Sequence, residues 1–121
     1  MSEIDLMHEI QCKASIDGHR LWRNNCGTGW VGQQVRVTHP QMVMMRPGDV
    51  LLRGARVLHA GLVPGSSDLI GIAGDGSGRF IAAEVKAPKG RTADIQESFI
   101  ETIRKFNGIG IIARTLEDFR V

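Results

Sequence analysis

Residues 68–86 read DLIGIAGDGSGRFIAAEVK, in which two apolar runs are joined by the glycine-rich segment 74–78. Short apolar runs separated by glycines are typical of a β-hairpin. Asp68 opens the first run, and Glu84 and Lys86 lie two residues apart on the second, so the alternation of side chains along a strand puts Glu84 and Lys86 on one face. Antiparallel pairing can bring Asp68 close to Glu84. Because the neighbouring residues are apolar, charges at these positions require a partner or a metal ion.

The chain after this hairpin is predicted to form a helix, a strand and a short closing helix. Thr92 is a candidate N-cap, and Asn107-Gly108 ends the helical pattern. Residues 109–113 are too short and too apolar for another helix, which predicts a buried parallel strand, and residues 115–119 are expected to form a closing helical turn. The residues predicted to line one face of the longer helix are Ile95, Phe99, Ile103 and Phe106.

The chain before the hairpin is predicted to begin with a helix over residues 2–17, with Ser2 as its N-cap. A strand over residues 19–25 follows. Glycines 27, 29 and 32 indicate a loop, and β-like runs over residues 34–38, 41–45 and 50–58 indicate a hairpin or small meander. The apolar positions expected to face the core from the first helix are Leu6, Met7, Ile10 and Ala14. This order predicts an α/β fold in one domain over residues 1–121, with a mixed β-sheet flanked by helices and a β insert.

The composition favours a small intracellular protein. A chain of 121 residues is large enough for one core. It has no apolar stretch of the length that crosses a membrane and no signal-peptide pattern, so we expect a cytoplasmic protein without a membrane partner. Cys12 and Cys26 are expected to stay thiols. The Gly74-x-Gly-x-Gly78 segment leads into a strand and not a helix, so no nucleotide cofactor is expected.

The net charge of +2 is unevenly distributed along the chain. Residues 1–17 carry one base and four acids, whereas residues 18–67 carry six arginines and one aspartate, and residues 68–121 carry eight of each sign. The planar guanidinium of arginine suits phosphate oxygens, so the middle segment predicts a polyanionic partner. The candidate phosphate contacts are Arg23, Arg36, Arg53 and Arg56.

The predicted hairpin carries the groups needed for phosphodiester hydrolysis. Two converging carboxylates, Asp68 and Glu84, form an oxygen-ligand site for Mg²⁺ or Mn²⁺, to which the carbonyl of Val85 can add a ligand. Lys86 beside such a site can hold the attacking water and stabilise the charge that develops on phosphorus.

Four ordered blocks of sequence resemble one family of nucleases. The Pro64-Gly-Ser-Ser-Asp68 segment followed by Glu84-Val-Lys86 is similar to the signature of the PD-(D/E)xK nucleases. With Arg23-Asn-Asn25, the segment Gly61 to Gly71 and the segment Gly90 to Gln96, the chain resembles the virus-type replication-repair (VRR-NUC) branch over roughly residues 9–119. Its proline lies four residues before Asp68 and not directly before it, which suits this branch.

The resemblance implies a restriction-endonuclease-like core and a metal-dependent endonuclease that acts on branched, Holliday-junction-like DNA in a phage or bacterium. By this resemblance Asp68 and Glu84 bind the metal, Lys86 positions the nucleophile and Gln96 faces the same site. The family also uses a glutamate from the first helix; Glu9 fits best, and Glu3 is the alternative. A restriction-like or flap-processing nuclease and a non-catalytic nucleic-acid-binding module remain the competing interpretations.

Paired cuts in a symmetric junction predict a homodimer, because a two-fold axis places two sites in matching orientations. The first helix and the segment that contains Met42, Met44 and Met45 are both candidate interfaces, and the sequence does not decide between them.

Overall fold

The computed structural model describes the chain except for residues 36 and 37. The chain divides into two compact units. The first is formed by Met1–Cys26 and Gly61–Val121, and the second by Gly27–Ala60. The second unit contains the predicted β insert together with the glycine segment that precedes it, and the prediction of a single domain over the whole chain stays a prediction. Within the first unit, Cys26 and Gly61 adjoin so closely that a Cβ added at Gly61 would lie 2.7 Å from Sγ of Cys26.

The first unit is built on a mixed four-stranded sheet, as predicted. Strand order is β1-β4-β5-β6, with antiparallel pairing from β1 to β5 and parallel pairing of β5 with β6. The hairpin of β4 and β5 and the parallel strand after the second helix therefore confirm the predicted α/β class. The elements of the chain are α1 (Glu3–Ile16), β1 (Arg20–Arg23), β2 (Gly27–Gln34), β3 (Leu52–Ala60), β4 (Leu69–Ile72), β5 (Phe80–Val85), α2 (Asp94–Lys105), β6 (Ile109–Ala113) and a 3₁₀ helix (Leu116–Asp118).

Helix α1 follows the predicted pattern closely. Ser2 caps it, and the Ser2 and Asp5 side chains each bond the other residue's backbone N–H, which satisfies two donors of the first turn. The four predicted apolar positions are buried and pack on the sheet face that carries Leu69, Ile81 and Val85. Burial of these four side chains fixes α1 across the sheet.

Helix α2 differs from its prediction in its first residue and in its buried face. Ala93 takes the N-cap position in place of Thr92. Ile100 is the buried residue of the helix, whereas Ile95 and Phe106 are 57% and 77% exposed. The cause lies on β6, where a Cβ added at Gly110 would be 2.9 Å from Cγ2 of Ile100. The glycine lets the helix approach through Ile100. Of the predicted face, Phe99 and Ile103 are half-buried, and its two ends, Ile95 and Phe106, are exposed.

The second unit is a hairpin of β2 and β3, and part of its prediction was wrong. The predicted loop of Gly27, Gly29 and Gly32 is strand β2, because its backbone pairs with β3 from Gly27↔Ala60 onward. Gly32 lies at a bulge where a Cβ would approach the carbonyl oxygen of Arg53 to 3.0 Å. The run 41–45 is not a strand, and the run 50–58 corresponds to β3, which spans Leu52–Ala60. Of the predicted run 34–38, Gln34 is the last residue of β2, and residues 36 and 37 lie outside the described residues.

Two smaller expectations concern the cysteines and the helices. Cys12 and Cys26 are free thiols, as predicted. None of the helices in the described residues has the length and apolarity needed to cross a membrane.

Candidate active site

Asp68 and Glu84 meet where β4 begins and β5 ends. Leu69 pairs with Ala83, so one step further along the antiparallel register Asp68 lies opposite Glu84. The Asp68 carboxylate accepts a hydrogen bond of 2.9 Å from the backbone N–H of Val85. The hairpin therefore holds the two carboxyl groups together, with Asp68 half-buried and Glu84 buried.

Glu84 is the buried charge of this site. Its side chain is 3% exposed; Oε1 accepts a 2.8 Å hydrogen bond from Nε2 of Gln96 and lies 3.4 Å from Nζ of Lys86. Oε2 is buried and forms no hydrogen bond with any of the described residues. Burial, followed by repulsion from the Asp68 carboxylate, raises the pKa of Glu84 to about 7. At neutral pH this carboxyl group is thus poised between its acid and its anion.

Lys86 lies on the same face as Glu84, two residues further along the chain. Its side chain is 16% exposed, and its backbone N–H donates to the carbonyl of Ala113, which ties the end of β5 to β6. Val85, between the two, buries its side chain in the core on the other face. Only its carbonyl is left for the predicted ligand role, which stays a prediction.

Gln96 fixes Glu84 from the first turn of α2. Its Oε1 accepts a 2.8 Å hydrogen bond from the backbone N–H of Ala93, and its Nε2 donates to Glu84. Because both ends of the amide are engaged, the donor faces the carboxylate and cannot rotate away freely. The structure therefore brings Gln96 to the position that the sequence interpretation gave it.

The two glutamates of α1 are placed differently. Oε1 of Glu3 accepts a 3.0 Å hydrogen bond from the backbone N–H of Ala87, the residue after Lys86. Glu9 is exposed and lines a cavity to which Lys86 also contributes. Of the two candidates, Glu3 contacts the segment that carries the site, whereas Glu9 was preferred from the sequence. The contact joins residues 84 positions apart in the chain, so no spacing within α1 could have selected Glu3 over Glu9.

Asn24 is a structural residue of the site to which the sequence interpretation gave no role. Its side-chain amide donates to Oγ of Ser66 at 2.7 Å and to the carbonyl of Ser67 at 2.9 Å, and its backbone N–H donates to the carbonyl of Asp68 at 2.8 Å. Its Oδ1 accepts from the backbone N–H of Leu62. Asn24 thus holds the loop that leads into Asp68.

A cavity of about 210 Å³ lies beside Asp68 and is lined by Arg23 and Asn25 among others. Arg53 and Arg56 lie on β3 of the second unit, and Arg36 lies outside the described residues. The role of these arginines as phosphate contacts stays a prediction.

The described residues contain no group of three or more histidine, cysteine, aspartate or glutamate side chains placed to hold a metal ion. The site thus offers two carboxylates, Asp68 and Glu84. No model of a known protein family matches the chain, and no curated protein matches it in sequence.

Proposed function

We propose that the protein is a divalent-metal-dependent nuclease that hydrolyses phosphodiester bonds of DNA. The observation that carries the proposal is the buried Oε2 of Glu84, which has no hydrogen-bond partner in the part of the chain that the structure describes and belongs to a carboxyl group beside Asp68. A buried polar atom without a partner costs stability unless a ligand satisfies it. Two adjacent carboxyl groups also repel each other, and a cation removes that repulsion.

The donor set fits a small hard dication. Mg²⁺ is commonly held by one or two carboxylates and fills its other positions with water and phosphate oxygens. Asp68 and Glu84 would hold the ion, which supplies Lewis-acid chemistry and lowers the pKa of bound water. Carboxylate oxygens as the donor atoms favour Mg²⁺ or Mn²⁺ over softer metals.

The remaining residues of the site position the two carboxylates or stabilise charge on the phosphate. Lys86 places an ammonium group 3.4 Å from Glu84, where it can stabilise the negative charge that develops on a phosphate during attack by water. Gln96 keeps Oε1 of Glu84 engaged, so that Oε2 is the oxygen left for a ligand. Asn24 holds the loop that leads into Asp68, and Glu3 connects α1 to Ala87, shortly after the end of β5.

The arrangement of elements supports the same proposal. The order α1, β1, β4, β5, α2 and β6, with Asp68 directly before β4 and Glu84 in β5, is what a PD-(D/E)xK nuclease core of the VRR-NUC type would require. We extend the proposal to branched DNA as substrate, with restriction-like and flap-processing activity as the alternatives.

A panel of DNA substrates tests the proposed activity. Purified protein is expected to cleave at least one of single-stranded, duplex, nicked, flap and four-way DNA in the presence of Mg²⁺ or Mn²⁺, and to be inactive with excess chelator, because Glu84 and Asp68 need the cation. Readout is by labelled products on a denaturing gel. Binding without cleavage under every metal condition would favour a non-catalytic module and reject the nuclease.

A four-way junction labelled on opposing strands tests the proposed homodimer. One set of Asp68, Glu84 and Lys86 cuts one strand at a time, so a two-fold dimer is expected to make paired cuts within one binding event. Light scattering at micromolar protein gives the mass in solution. A monomer that makes single, uncoupled nicks would contradict the dimer and leave the nuclease assignment unaffected.

A further inference from the structure

A second cavity lies beside Lys86. It has a volume of about 320 Å³ and shares no lining residue with the cavity beside Asp68. Its walls come from the first half of α1, the segment after β5 and the segment after β6. The carboxylate pair is thus flanked by two separate cavities, one that includes Asp68 and one that includes Lys86.

Two cations line this second cavity, and the sheet register explains why they are neighbours. Val85 pairs with Ala113 in the parallel ladder of β5 and β6. The next residue on each strand is Lys86 and Arg114, so both cations leave the same end of the sheet side by side. Nη2 of Arg114 donates a 3.0 Å hydrogen bond to the carbonyl of Gly90, which holds the guanidinium against the loop that follows Lys86. An arginine fixed in this way loses little entropy when it binds a phosphate.

The remaining walls indicate what else the ligand contains. Leu6, Pro88 and Leu116 provide apolar surface. Glu9 and Glu117 offset the two cations, so the cavity as a whole suits a ligand of low net charge and disfavours a polyphosphate. Their carboxylates are also acceptors for amino or hydroxyl groups. A volume near the lower end of small-molecule sites, with apolar walls and paired cations, matches a single nucleotide.

We propose that this cavity is a nucleotide subsite, in which Lys86 and Arg114 hold the phosphate next to the scissile one and the apolar wall contacts the sugar or base of that nucleotide. The proposal rests on the proposed nuclease function and adds to it a specific contact, Arg114, on the strand being cut. It also gives Lys86 two neighbours, Glu84 on one side and the flanking phosphate on the other.

Binding of a short fluorescent thymidine oligonucleotide in metal-free buffer tests the subsite without requiring cleavage. Arg114→Gln is expected to weaken binding about tenfold and to lower the slope of log affinity against log salt by about 0.7, the value for one phosphate contact on a single strand. Arg114→Lys keeps the charge and is expected to restore the slope. Fluorescence anisotropy at several salt concentrations measures both quantities.

Arg104→Gln is the matched control. Arg104 also donates a 3.0 Å hydrogen bond to a glycine carbonyl, that of Gly110, but it does not line the cavity. If Arg114 served only to hold the loop at Gly90, both glutamine variants would lower the melting temperature and neither would change the slope of log affinity against log salt. The control is expected to bind like the wild-type protein.

The outcomes separate this proposal from the nuclease proposal. Equal affinity and slope in Arg114→Gln and Arg104→Gln, in a protein that cleaves DNA, would overturn the subsite and leave the nuclease in place. Weaker binding in Arg114→Gln alone, in a protein that cleaves no DNA with any metal, would reject the nuclease and with it the position next to a scissile phosphate, and would leave Arg114 as a phosphate contact of a binding site.

Discussion

Replacing Glu84 by glutamine is expected to lower metal-dependent cleavage by a factor on the order of 10³ or more, and Asp68→Asn is expected to do the same. Each change keeps the shape of the side chain and removes the negative charge that binds the cation. The amide introduced by Glu84→Gln can still accept from Gln96 through its carbonyl oxygen, so the fold is expected to persist. Single-turnover cleavage with saturating Mg²⁺ measures the loss, and circular dichroism checks the fold.

Glu101→Gln provides the control for this experiment. Glu101 lies on α2, its side chain is 68% exposed, and it pairs with Arg104 on the same helix. An exposed pair of this kind contributes little to stability, so cleavage by this variant is expected to match the wild type. Cleavage at the wild-type rate by either the Glu84→Gln or the Asp68→Asn protein would remove the carboxylate pair from the active site.

The metal-free protein is expected to lose stability between about pH 4.5 and pH 7 because of Glu84. Its pKa is raised from 4.5 to about 7 in the folded state. Below pH 4.5 the group is protonated in both states; as the pH rises, the unfolded chain releases the proton first, so the free energy of unfolding falls until the folded group has also ionised. Glu84→Gln removes this dependence and is expected to stabilise the metal-free protein at pH 8 by roughly 1 to 3 kcal/mol.

Urea unfolding at pH 5 and pH 8 measures this effect as the difference between wild type and Glu84→Gln. The pKa values of Asp5, Asp75 and Asp118 are lowered from the ordinary aspartate value of 3.8. These groups therefore change the free energy of unfolding at lower pH, outside this window. Mg²⁺ at pH 8 is expected to stabilise the wild type and not the variant, since the cation binds the ionised carboxylate of the folded state. An unchanged pH dependence in the variant would show that Glu84 is not the responsible group.

The parts of the fold that the sequence predicted well are those whose signal is local. Helix α1 has a cap and a buried stripe in its own residues, and the β4–β5 hairpin has two apolar runs around one glycine segment. The buried face of α2 could be found only in part in this way: Phe99 and Ile103 are half-buried, but a glycine on β6 lets Ile100 make the closest approach. Strand β2 was missed because its residues are mostly exposed and leave no apolar alternation.

The site shows the same division between local and long-range information. Glu84 lies in β5 and Lys86 directly follows the end of that strand, and Asp68 lies opposite Glu84 through the hairpin register, so the spacing within this segment was sufficient. Glu3 and Asn24 act through contacts with segments far away in the chain, at Ala87 and at residues 62–68. Such contacts depend on how the elements pack, which no pattern within α1 or β1 specifies.

The adjacency of Cys26 and Gly61 has a consequence for how the protein can vary. A segment that leaves and re-enters the sheet unit at neighbouring points adds a loop whose closure entropy grows only with the logarithm of its length, about 0.6 kcal/mol for each doubling. The segment from residue 27 to residue 60 can therefore lengthen, shorten or be exchanged with little thermodynamic effect on the sheet that holds Asp68 and Glu84. The carboxylate pair thus lies in the unit formed by Met1–Cys26 and Gly61–Val121, and we expect sequence and length to vary more in the segment from residue 27 to residue 60.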